Sequence, residues 1–416
     1  MQKIEGALQH YAWGHPTAIA EIRGVSPSGE PEAEYWLGAH PRNPSVVIDE
    51  RPGPSLTLDR LIGVQPEHWL GAAVMGRFGE LPFLFKVLAA QTPLSLQAHP
   101  DKEQALAGFE REEQAGIDPS AFERSYRDQN HKPELVCALA RFEAKCGFRP
   151  LAATQRLLGL FDDQRVDPLR QCLAARNEDQ ERAPATEIDD EAAILGDTLQ
   201  WLLHLSGAET EHLVDGLVAG AERLLSRDEK GAETEFLAEL EWTVRINNDF
   251  PGDVGVAVAL LLNHLTLEPG EALFLEAGVL HAYLSGTVVE LMANSDNVLR
   301  CGLTSKHIDV AGLLQVLVLS TGVPEVQRAS GPVHRFTVPV PEFALTRYSG
   351  AEVVHRCRVD GPEIVFVTSG SAMLMAGGRR VDLGPGESVA VAAADEGYDL
   401  GLVGTEATVW RVTVGR

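Results

Sequence analysis

Over the first 150 residues, apolar positions come in short runs broken by Gly and Pro. SVVIDE (45–50) and LPFLFKVLAA (81–90) have strand length, and the breaks around them predict strands and turns. Short helices are predicted at 18–22, 58–62 and 102–113. The texture changes at about Leu151. From there to Asp249, apolar residues fall three and four apart, as in Leu199, Leu202, Leu203 and Leu205. Leu213, Leu217, Leu224 and Leu225 repeat the spacing, and so do Phe236, Leu240 and Val244. That is the period of amphipathic helices. The segment 176–190 is polar and predicts a solvated loop. Strand texture returns at Pro251.

A short unit recurs. LTLEPGEALFLEAGVLHAYL (265–284) and VDLGPGESVAVAAADEGYDL (381–400) share Leu-x-Pro-Gly-Glu cores at 267–271 and 383–387. Each predicts strand, tight turn, strand. The copies differ where it matters: His281 lies ten residues after Glu271, and the same offset from Glu387 falls on Gly397. Antiparallel strands with such turns suit a jelly roll. The expected fold is mainly β with an α insertion. A cupin/jelly-roll catalytic barrel comprises 1–150 and 251–320, a helical domain is inserted at 151–250, and 321–416 forms a cupin-like β domain without metal.

The chain has 416 residues and a net charge of −25. Such an acidic surface repels nucleic acid and anionic lipid. An anionic substrate would need a local basic cluster against that field. The five cysteines form no C-x-x-C pair, which fits a reducing compartment and excludes a Cys-rich zinc site. The N-terminus lacks a basic stretch followed by an apolar one, and no apolar run approaches the ~20 residues of a membrane span. A cytoplasmic protein is expected, with no nucleic-acid or membrane partner, and a monomer suffices.

Three segments carry candidate chemistry. In TPLSLQAHPDK (92–102), strand alternation puts Ser95, Gln97 and His99 on one face and Leu94, Leu96 and Ala98 on the other. Alone, Q-x-H is weak, and a solvated face explains it as well. In NHKPELVCAL (130–139), Glu134 opens an apolar run, and a buried carboxylate needs a partner. In the stretch 277–309, His281 and Tyr283 share a face, Glu290 interrupts the apolar VVELM, and SDN (295–297) makes a turn before Arg300 and Lys306. Gln97, His99, Glu134 and His281 together make a plausible zinc set with room for substrate. Their separation in sequence leaves open whether they meet.

LPFLFKVL (81–88), SLQAHPDK (95–102), NHKPE (130–134) and LMANSDNVLRCGLTSKHID (291–309) resemble the type I mannose-6-phosphate isomerases. YAWG (11–14) and YWLGAHPRNPS (35–45) fit the same family. The resemblance runs to about residue 315, with a gap over the helical insert. It implies one zinc ion on Gln97, His99, Glu134 and His281, with Arg300 as the catalytic arginine. It places Lys86, His131, Lys132, Glu290, Asp296 and Lys306 in the pocket, and Trp13 and Tyr283 at the substrate. Two departures are TSK (304–306) where TPK is common, and Cys301 where a smaller residue is usual.

The implied reaction interconverts mannose 6-phosphate and fructose 6-phosphate by proton transfer through a cis-enediol. Glu290 and Lys132 rank equally as proton carrier: burial would raise the pKa of the first, while burial and a nearby cation would lower that of the second. His131 and Asp296 are expected to assist ring opening, and Ser95, Lys86 and Lys306 to hold the phosphate. The rivals are a related cupin phosphohexose isomerase, a non-haem iron oxygenase using His99, Glu134 and His281, and a metal-stabilised sugar-phosphate-binding module.

Overall fold

The computed structural model describes residues 1–48, 56–174, 187–227, 231–351 and 353–415. Helices Ala18–Arg23, Leu58–Val64 and Lys102–Gln114 form where predicted. The third is set by a capping box: Asp101 accepts from Gln104 N–H, and the Gln104 side chain accepts from Asp101 N–H. The helix Pro66–Arg77 was missed, because Gly71 at φ 74° interrupts its pattern with a kink. Most of the predicted loop at 176–190 lies outside the described residues; Glu187–Leu203 is helical.

Among the described residues the strands form two large antiparallel sheets. The first runs in the order 326–328, 271–275, 134–138, 281–293, 83–90, 34–38, 7–9. Its spine is His281–Ala293, which belongs to two surfaces. Residues from Gly286 onward pair with 83–90 and 134–138, whereas His281–Ser285 pair with 142–148 and, at His281, with Gln97. Gly286, at φ 107°, sits at the switch, where a Cβ would stand 2.3 Å from Arg141 O. This corner closes the sheet into a barrel.

Alternation decides what each face does. Tyr35, Leu37, Phe83, Phe85, Val87, Leu135, Cys137, Val289 and Leu291 point outward, into a core shared with Phe336, Phe343, Leu345, Phe366 and Trp410 of the second sheet. Their neighbours Glu34, Lys86, Glu134 and Glu290 occupy the opposite parity and are buried. The barrel interior beyond them is apolar: Leu88, Val136, Ala138, Phe142, Tyr283 and Val288.

Helices between 151 and 259 pack on the barrel's other side. Their core includes the stripe residues Leu199, Leu202, Leu213, Leu217, Leu224, Phe236 and Leu240, together with Leu96, Ala98, Leu299 and Cys301. Leu96 and Ala98 flank Gln97, and Leu299 and Cys301 flank Arg300, so the helical insert forms the rear wall of both strands. Leu94, expected on the same face as Leu96, lies before the strand Leu96–Ala98 and packs on the barrel interior instead.

The second sheet runs 333–335, 344–350, 398–413, 363–376, 388–391, 2–5, 46–47. The sheets do not divide where the expected boundary falls at 320/321. Gln2–Glu5 pairs with Ser388–Val391 of the second sheet, and Val326–Arg328 pairs with Glu271–Leu275 of the first. The repeated turn is the same in both barrels. Glu271 accepts from Glu268 N–H at 2.9 Å and Glu387 from Gly384 N–H at 2.7 Å, with Gly270 and Gly386 at φ 87° and 76°. Gly397, the counterpart of His281, is buried at φ 107°.

The second barrel instead buries Glu363, which accepts from Arg411 Nε at 2.9 Å and from Tyr398 OH at 2.9 Å. Removing one partner of a buried pair strands the other charge. Arg411→Met is therefore expected to cost about 3–5 kcal/mol in denaturant unfolding, and adding Glu363→Gln to relieve most of it. A loss below about 1 kcal/mol would show that the pair behaves as an exposed one.

Candidate metal centre and active site

His99, Glu134 and His281 converge from three elements, their ligand atoms all within 4.8 Å of one another. Glu134 opens its strand directly after Pro133, which keeps the approach extended. The His99 Nε2–Glu134 Oε1 and His281 Nε2–Glu134 Oε2 distances are 3.4 and 3.5 Å. Donors about 2.0–2.1 Å from one tetrahedral zinc ion stand roughly 3.4 Å apart, so the spacing fits.

The imidazoles are oriented for that role. His99 Nδ1–H donates to Asn297 O at 2.8 Å, and His281 Nδ1–H donates to Val279 O at 2.9 Å. Both Nε2 atoms are buried without a hydrogen-bond partner. A backbone carbonyl on one nitrogen leaves the other as a free lone pair, the usual arrangement of a metal-ligating histidine. Burial, and next the Lys132 charge, lower the pKa of His99 to about 4, so it is neutral at pH 7. Gln97 lies opposite both His281 and Arg300 in strand register, placing it on the ligand side.

A chain of buried polar groups leads away from Glu134. Lys132 Nζ stands 3.1 Å from its Oε1. Burial alone would raise the Glu134 pKa, but Lys132 and the imidazoles hold it well below the usual range. Tyr283 OH lies 3.1 Å from both Glu134 Oε2 and Glu290 Oε1. Glu290 Oε2 accepts from Lys86 Nζ at 2.8 Å, and Glu34 Oε1 is 3.7 Å from the same ammonium. Trp36 Nε1–H then donates to Glu34 Oε2 at 2.6 Å. Tyr283 has one hydroxyl proton and two carboxylates to satisfy. Burial raises the Glu290 pKa despite Lys86. Tyr283 links the Glu134 and Glu290 carboxyl groups.

A cationic group faces the other side. Burial lowers the pKa of Arg300, and the charge acting on it is another cation, Arg127. Lys306 is lowered by burial and by Arg300, Arg127 and Arg42. The loop that carries Lys306 is pinned by Asp253, which accepts from Leu303 N–H at 2.9 Å. Leu303 takes φ 53° just before TSK (304–306), so that departure falls in a clamped loop, whereas Cys301 lies in the strand Leu299–Gly302 and is buried in the helical core.

Other expected residues are more distant from the carboxylate chain. Asp296 pairs with Arg42 at 2.6 Å and with His40 at 3.5 Å; burial opposes its ionisation, but His40 and Arg42 lower its pKa. His131 Nε2–H donates to Glu342 at 2.8 Å. Ser95 is half-buried just before the Gln97 strand. Trp13 stacks on Tyr11 and packs on the barrel interior. Lys86 is buried, with Glu290 at 2.8 Å and Glu34 at 3.7 Å from its ammonium.

Sequence reasoning missed Glu34, Trp36, His40, Arg42, Arg127, Asn297 and Glu342. The signal for Glu34 was available, since it lies on the same strand face as Trp36. Asn297 had none. Its fully buried amide accepts from Arg127 and Asp128 N–H and donates to Asn130 O, tying the 127–130 loop to the His99 support.

The lowered pKa of His99 makes a test. Its value is 6.5 when free and about 4 here, so between those values the unfolded chain binds a proton that the folded chain refuses. Stability is complete above pH 6.5 and falls as pH drops toward 4. In metal-free protein, His99→Gln should flatten part of the acid limb of a melting-temperature profile. An unchanged slope would contradict the buried neutral imidazole.

Residues 1–151 match the family described as phosphomannose isomerase type I, catalytic domain. The chain is similar to the mannose-6-phosphate isomerase of Escherichia coli (strain K12), 39% identical over 402 residues, covering 94% of this chain and 95% of that protein. The Homo sapiens mannose-6-phosphate isomerase is 32% identical, with 88% and 87% covered. A variant of the Salmonella typhimurium phosphomannose isomerase superposes with a TM-score of 0.86 at 34% identity over 100% of both chains. A zinc-bound mannose 6-phosphate isomerase gives 0.85 at 35%, covering 100% of this chain and 99% of that one. Identity of this extent over nearly full length, with the His-Glu-His centre in place, means that the chain belongs to the mannose-6-phosphate isomerase family.

Proposed function

We propose that the chain is a zinc-dependent aldose–ketose isomerase that interconverts D-mannose 6-phosphate and D-fructose 6-phosphate. The observation that carries this is the His99–Glu134–His281 triangle, with both Nε2 atoms free and aimed together. Gln97 supplies an amide oxygen as the fourth protein donor. Zinc, when bound, supplies a Lewis acid that lowers the cost of negative charge on sugar oxygens.

The chain's own groups divide the remaining work. Arg300 places a permanent cation beside the developing enediolate oxygens. Lys306 and Arg127 share its neighbourhood, and cations repelling one another are best relieved by a phosphate dianion. Ser95 adds a hydroxyl. Lys86 acts through Glu290, and Tyr283 links that carboxyl to Glu134. Glu290 carries the proton between C1 and C2, because burial raises its pKa and makes it a stronger base than an exposed carboxylate. Lys132 stands beside it, paired with Glu134. His131 and Asp296 assist ring opening, and Trp13, stacked on Tyr11, contacts the substrate.

A coupled assay of the purified protein tests the activity. Turnover of mannose 6-phosphate is expected to vanish on complete chelation and to return with zinc. Arg300→Met should keep its zinc and its melting temperature while losing at least ~100-fold in kcat. Activity unaffected by zinc removal would refute the metal role, and near-normal turnover of the variant would refute that of Arg300.

The proton carrier separates in pH–rate profiles. Glu290→Gln is expected to abolish the ascending limb of kcat, whereas Lys132→Met lowers the rate and keeps the limb. The reverse pattern would transfer the role to Lys132.

A further inference from the structure

A hydrogen bond joins the second sheet's side of the molecule to the motif that carries Glu134. His131, in the same motif as Lys132 and Glu134, donates its Nε2–H to Glu342 Oε1 at 2.8 Å. The two side chains are 21% and 14% exposed, so water competes little for the bond. Glu342 comes from the connection between the strands Val333–Arg335 and Ala344–Gly350 of the second sheet. That connection is fixed. Phe343 is fully buried in the core between the sheets, and Ala344 pairs with Thr413. Gly415 packs so closely that a Cβ there would stand 2.4 Å from Val340 O.

We infer that Glu342 is a positioning residue for His131, by which the second barrel takes part in catalysis. The inference rests on the ring-opening role proposed for His131. Ring opening takes a proton from the anomeric hydroxyl and delivers one to the ring oxygen as the C1–O5 bond breaks. A group serving that exchange needs one ring nitrogen free and the ring held still. Glu342 keeps the proton on Nε2 and leaves Nδ1 as the exchanging atom. Burial alone would raise the Glu342 pKa, but the His131 hydrogen bond holds it below the usual range, so it stays an acceptor. Its second oxygen, Oε2, is buried without a partner, so among the described residues the imidazole is the side-chain contact that orients the carboxylate.

The test is kinetic, on the full-length zinc enzyme with mannose 6-phosphate deuterated at C2. Glu342→Ala and His131→Ala should each lower kcat by roughly 10–100-fold, with zinc content and melting temperature unchanged. The deuterium effect on kcat should fall toward unity in both, because ring opening becomes the slow step. The double variant should be no worse than the poorer single, since the pair acts as a unit. Glu342→Gln, which keeps an acceptor oxygen, should recover most of the loss. Multiplying losses in the double variant would overturn the inference. So would a Glu342→Ala loss that keeps the full isotope effect or comes with a lower melting temperature. A fully active Glu342→Ala beside an impaired His131→Ala would overturn the positioning role and leave the ring-opening role standing. A fully active His131→Ala would remove the ring-opening role itself.

Discussion

The structure is organised around one buried negative charge. Glu134 lies at the end of a strand whose other residues are apolar, with its carboxylate almost entirely removed from water. An isolated carboxylate in that position would neutralise itself. Lys132, the two imidazoles, Tyr283 and the zinc ion that the site fits together keep it charged. Lys132 comes from Glu134's own motif, His281 and Tyr283 share one strand, and His99 comes from a third segment. The topology can be understood as the means of bringing them to one carboxylate.

Two cores hold those groups in place, from opposite sides. Behind Gln97 and Arg300 lies the helical insert, whose apolar stripe receives Leu96, Ala98, Leu299 and Cys301. Behind Lys86, Glu134 and Glu290 lies the second sheet, which receives Phe85, Leu135, Cys137, Val289 and Leu291. The polar face of each strand is rigid because its apolar face is packed. Catalytic geometry depends on such support, since small displacements of charged groups cost heavily in rate.

The two barrels show how one turn can serve different ends. Both use a Pro-Gly turn closed by a glutamate side chain. In one, the second strand after the turn opens on His281. In the other, Gly397 stands in its place, and the interior is satisfied by Glu363, Arg411 and Tyr398. There the buried carboxylate is paired with a guanidinium.

The sequence by itself determined much of this. Helical stripes, strand alternation, the repeated turn and the parity that sets Lys86 opposite Phe85 follow from local periodicity. So did the types of residue able to hold zinc, and the motifs carried the family. Tertiary structure decided the partnerships. Lys86 reads as a free cation in sequence but meets Glu34 and Glu290 once three strands align. Glu342 lies 211 residues from His131, and Asn297 lies 198 from His99. The N-terminal strand completes a sheet whose other members mostly lie beyond residue 333. Periodicity fixes which face a side chain occupies within its own strand. Which charge stands across from it depends on registers and crossings between distant segments, and those are set by packing two apolar cores at once.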